Sequence, residues 1–133
     1  MSKRMTKGEF QESLGVLNPV GNAVLAFASD AVAADANAAL LQAGFTAEDI
    51  LTYTSAELFP NLDSMMRKAS GAAGFGYEIT LMRRYMTLAS EGCGWLVVYA
   101  PEAAQAAEVK AVATQFAAKS AVHYGRLASE DLV

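Results

Sequence analysis

The chain has 133 residues, 53% hydrophobic and 18% charged, with a formal net charge of −4. That length implies one domain, and the acidic balance, with a pI near 4.9, excludes the basic face of a nucleic-acid binder. A lone cysteine, Cys93, excludes an intrachain disulfide, and no apolar run reaches the roughly 18 residues of a membrane span.

Residues 1–20 begin with Lys3, Arg4 and Lys7, and no apolar stretch follows them as in an export signal, so a cytoplasmic address is expected. Thr6 and Glu9 have capping-box spacing, and Phe10 and Leu14 recur at helical spacing, which predicts a short helix over 8–14 within an N-terminal arm. The remainder, 21–133, reads as a single α+β domain.

The apolar run 23–28 predicts a first strand, with Ser29 and Asp30 as N-cap candidates for a helix that packs through Val32, Leu40 and Leu41 and ends at Ala43 before Gly44. Thr46 to Asp49 has the spacing of another capping arrangement, and a second strand follows over 50–54. The same order returns later. A strand over 95–99, Pro101 as the first helical residue, a helix to 119 with Val109, Val112 and Phe116 on one stripe, and a strand over 121–124 make a second unit. Phe27 aligns with Tyr99, Ala28 with Ala100 and Asp30 with Glu102. A last turn is expected at 129–132.

Two duplicated β-α-β units whose sheets merge predict a ferredoxin-like two-layer sandwich with the two opening strands at its centre. Both of those strands are apolar on both faces, so the face away from the crossover helices needs a cover. The segment 55–92, between the second and third strands, is the helical insertion that can supply it. Pro60 and the glycines at 71, 74 and 76 divide it into helices over 61–70 and 75–91, and four of the six methionines fall within it.

On the second of these helices the apolar positions sweep about half the circumference, which calls for cover from two directions. Glu78 stands inside that apolar arc, either as a first-turn acid at a helix N-terminus or as a pocket carboxylate. Arg67, Arg83 and Arg84 are candidates for recognising a small anion, with Tyr77, Tyr85, Glu78 and His123 as further ligand-binding candidates. His123, the sole histidine, and Cys93 form neither a metal cluster nor a nucleophile–base pair, and the order of the 71–76 glycines does not match a phosphate loop. No metal or cofactor is expected.

The segments Ala43-Gly44-Phe45, Glu48-Asp49-Ile50, Tyr124-Gly125-Arg126-Leu127 and Glu130-Asp131-Leu132 resemble the general stress protein, or heat-induced stress protein, domain family of small bacterial proteins. The resemblance spans about 22–133 and implies the strand–helix–strand fold, a bacterial cytoplasmic origin and a stress-related role; it carries no catalytic residue. The residues themselves point to a non-enzymatic ferredoxin-like domain acting by association or small-ligand sensing. Its high apolar content for one small domain favours a homodimer. The alternatives are a binding protein for a small anionic metabolite, or an enzyme resembling dimeric α+β barrels that uses Glu78 or His123 as a base.

Overall fold

The computed structural model describes residues 21–56, 76–124 and 129–132. The N-terminal arm with its expected 8–14 helix, the 61–70 helix and the glycines at 71 and 74 lie outside the described residues. The elements are β1 (Asn22–Phe27), α1 (Asp30–Gln42), a 3-10 turn at Ala47–Asp49, β2 (Ile50–Tyr53), α2 (Gly76–Ser90), β3 (Gly94–Tyr99), α3 (Ala103–Gln115), β4 (Ser120–Tyr124) and β5 (Ser129–Asp131).

The strands form one sheet in the order β2-β3-β1-β4-β5, antiparallel at every step. β1 and β3 are central, as their two-sided apolar sequences require. α1 carries the chain from β1 across β3 to β2, and α3 carries it from β3 across β1 to β4. Both crossover helices lie on one face, where Ala33, Ala36, Leu40, Val109, Val112 and Ala113 pack on Leu25, Phe27, Leu96 and Val98. The opposite face, with Val24, Ala26, Trp95, Val97 and Val122, receives Tyr85 and Ala89 of α2. The insertion thus adds a layer to the α+β sandwich, and every residue of β1 is buried.

The three long helices among the described residues stop in the same way. After α1 the amide of Gly44 donates to the Leu41 carbonyl and that of Phe45 to the Leu40 carbonyl; after α2 Gly92 donates to Ala89 and Cys93 to Leu88. After α3 Ala117 donates to Thr114 and Ala118 to Ala113. These are Schellman closures, which need a left-handed residue just past the cap. Gly44 at φ +113° and Gly92 at φ +92° adopt it freely, whereas Ala117 is held there at φ +52°. No glycine announced this third stop, so α3 ends at Gln115 rather than at 119.

Other differences from the sequence-based expectations have equally local causes. Pro101 precedes the helix instead of opening it, because the Ala100 amide still bonds to the Gly21 carbonyl and extended Glu102 is the N-cap. Leu41 is exposed, since the buried stripe of α1 runs through Ala33, Ala36 and Leu40, and Leu41 stands about 100° further round. Residues 129–131 form β5 rather than a turn, pairing with the flank of β4 that would otherwise be a bare edge. Leu132 donates its amide to the Ala121 carbonyl at 2.7 Å and is buried among the crossover-helix core.

Gly94 joins the two units mechanically. A β-carbon there would lie 2.7 Å from the Asp30 α-carbon and 2.8 Å from the Ser29 carbonyl oxygen, so α1 rests directly on the first residue of β3. Gly94→Ala is expected to destabilise the domain by about 2 kcal/mol or more, because the obstruction is backbone. Ala117→Gly is expected to stabilise it by about 1 kcal/mol by relieving the left-handed alanine. Urea unfolding of the two variants beside the wild type checks both signs.

Candidate functional site

The insertion helix is anchored by aromatic residues. Tyr85 is fully buried, its hydroxyl 2.8 Å from the Tyr124 hydroxyl and its ring edge-on to Trp95 at a centroid distance of 5.2 Å. Tyr85 therefore serves the packing of α2 on the sheet. Its helical neighbours Arg83 and Arg84 are exposed, on the side away from the sheet. Tyr77 and Glu78 belong to the first turn of α2, where only the backbone is described, and Arg67 lies outside the described residues. Trp95 Nε1 and Ser120 Oγ are buried on this face without hydrogen-bond partners among the described residues. They stand in one cross-strand row, either side of Ala26.

His123 lies on the other side of the sheet. Side chains alternate along β4, so Val122 and Tyr124 meet the α2 layer while His123 and Ala121 face the crossover helices. The sheet consequently separates His123 from the helix carrying Glu78, Arg83, Arg84 and Tyr85. Of the candidates whose side chains are described, Arg83, Arg84 and Tyr85 belong to the α2 side of the sheet and His123 to the other.

Where His123 emerges, a groove of about 460 Å³ runs between the first half of α3 and the β4–β5 flank. Leu132 and His123 line its sheet side, and Ala103, Ala106, Ala107 and Lys110 line its helix side. The spacing i, i+3, i+4, i+7 puts those four α3 residues on one stripe. Pro101 and Glu102 close the end nearest the helix N-terminus. His123 Nε2 lies 2.7 Å from the Ala100 carbonyl oxygen. A carbonyl only accepts, so Nε2 carries the hydrogen and donates it, which fixes the ring and leaves Nδ1 as its remaining polar atom.

A smaller hollow of about 170 Å³, lined by Gly44, Phe45, Asp49 and Glu108 among others, lies between the end of α1 and α3. Asp49 in its wall accepts from the Thr46 amide and hydroxyl at 2.9 and 3.0 Å. Cys93 is buried at the entry to β3, and burial, with Glu91 adding to it and Lys119 partly opposing, pushes its thiol above the ordinary value of 9.0. A thiol held protonated in this way is a poor nucleophile. Among the described residues no group of histidine, cysteine and carboxylates could hold a metal ion, and no helix is long and apolar enough to cross a membrane.

Sequence reasoning singled out His123 but missed its neighbours. Glu102 and Lys110 sit on a helix whose core stripe alone stood out, and Leu132 enters only because 129–131 forms a strand. The Ala103, Ala106, Ala107, Lys110 spacing was the available signal, masked by the alanine content of the whole helix. Comparison with protein-family models, with curated proteins and with solved structures finds no match to this chain.

The Tyr85–Tyr124 hydrogen bond gives a direct measure of how firmly α2 is held. Tyr124→Phe is expected to cost about 1–2 kcal/mol, because the Tyr85 hydroxyl is then left buried without this partner. The check is chemical denaturation of Tyr124→Phe beside Tyr85→Phe and the double variant, whose two losses should not add.

Proposed function

We propose that the chain is a ferredoxin-like, non-enzymatic binding domain that takes a small anionic ligand in the groove beside His123. The observation that carries this reading is the groove itself. It is within the size range of small-molecule sites, has a mainly apolar lining, and holds a few polar groups, among them a fixed imidazole and a lysine. An acidic group would meet Lys110 while an apolar body lies over Ala103, Ala106 and Leu132.

The ferredoxin-like assignment and the duplication belong to the same proposal. They are supported by the strand order and by matched dimensions: β1 and β3 have 6 residues each, and α1 and α3 have 13 residues each. A homodimer is proposed on composition, since the apolar fraction is high for a small domain. The bacterial cytoplasmic setting and stress-related role follow from the resemblance of the Gly44-Phe45 and Tyr124-Gly125-Arg126-Leu127 segments to the general stress protein domain.

Titration of ¹⁵N-labelled protein with a panel of short-chain carboxylates and phosphates tests the site. Amide shifts are expected at Ala103, Ala106, Ala107 and His123, and His123→Ala should weaken binding about tenfold without unfolding the domain. Shifts confined to α2 near Arg83 and Arg84 would move the site to the other face of the sheet. Light scattering of the same samples should give twice the chain mass.

A further inference from the structure

The groove is charged at both ends with opposite signs. Glu102 stands at the N-terminal end of α3 and Lys110 stands two turns on, about 12 Å along the axis at 1.5 Å per residue. Between them the helix presents only the methyl groups of Ala103, Ala106 and Ala107, with Leu132 on the sheet side. Both charged residues are exposed; the Glu102 carboxylate accepts from the Gln105 backbone amide in a capping box and keeps oxygen lone pairs for a further donor. The amides of the first helical turn, one of them held by this carboxylate, contribute about half a positive charge, and the full negative charge of Glu102 outweighs it. The N-terminal end of the groove therefore favours a cation, and the Lys110 end an anion.

Resting on the groove as the binding site, we infer that the ligand is dipolar: a short, extended molecule with a cationic end at Glu102, an anionic end at Lys110 and an apolar middle. A peptide of two or three small apolar residues has this chemistry. Its length, at about 3.3–3.6 Å per extended residue, is roughly 7–11 Å, comparable with the axial separation of the two charged residues. The alanine floor lets such a backbone lie close to the helix. His123 Nδ1 is available to a polar group of the ligand, because Nε2 is committed to the Ala100 carbonyl. An anion without the cationic end would leave the Glu102 charge without a counter-charge, and like-charge repulsion would confine it to the Lys110 end.

The test compares three probes on the full chain: tri-alanine, N-acetyl-tri-alanine, which lacks the cation, and tri-alanine amide, which lacks the anion. Binding is followed by amide shifts in the groove and by calorimetry. Tri-alanine is expected to bind most tightly, with each blocked peptide weaker by about threefold or more. In Glu102→Gln the acetylated and free peptides should bind alike, and in Lys110→Gln the amidated and free peptides should bind alike. If the acetylated peptide matches tri-alanine on the wild type, the dipolar inference is overturned while the groove stands as an anion site. The dipolar inference fails equally if simple carboxylates shift the groove amides and none of the three peptides does. Silence of the groove amides to peptides and carboxylates together overturns the groove as a binding site.

Discussion

Everything in this fold depends on a central strand with no face to give to water. β1 is buried along its whole length, flanked by β3 and β4 and apolar on alternate sides, so two separate layers must be brought over it. The crossover helices supply one layer as a consequence of connectivity, since a strand that returns two places away must pass over the strand between. They cannot supply the other. The insertion does, through Tyr85 and Ala89 of α2, and full burial of Trp95, Tyr53 and Tyr85 on that face is worth about 1.5–3 kcal/mol per side chain.

This division of labour separates structure from candidate function. The α2 face is closed by a hydrogen bond between two tyrosines and an edge-on aromatic contact, both far inside the core. The crossover face is less completely covered. α3 reaches over β1 and β4 but leaves the β4–β5 flank beside it open, and the groove is the space between that flank and the helix. The addition of β5 thus makes the groove as well as protecting the β4 edge. Without that strand Leu132 would have no place in the floor.

The insertion segment looked the richer ground for a ligand because it gathers arginines, tyrosines, methionines and an out-of-place glutamate. Tyr85 shows what composition leaves open there. A tyrosine on an apolar helix arc has the same local sequence whether it lines a pocket or fills a core, and only its partner, Tyr124 from a distant strand, distinguishes the two. Arg83 and Arg84 face away from the sheet because the arc between Tyr85 and Ala89 faces it.

The amino-acid sequence by itself determined the strand–helix–strand order of the two β-α-β units, the two central strands, the Gly44 helix stop and the helical nature of 76–90, because each is written in periodicity or in a residue with special backbone freedom. It also determined that the second sheet face needed a cover. Tertiary structure alone decided the stop at Ala117, the strand at 129–131 and the side of the sheet to which His123 belongs. Those depend on which backbone groups lacked partners and on the register of β4 against β1, and neither is encoded within a few neighbouring residues. The groove follows from the same non-local choices, which is why His123 stood out in the sequence and its neighbours did not.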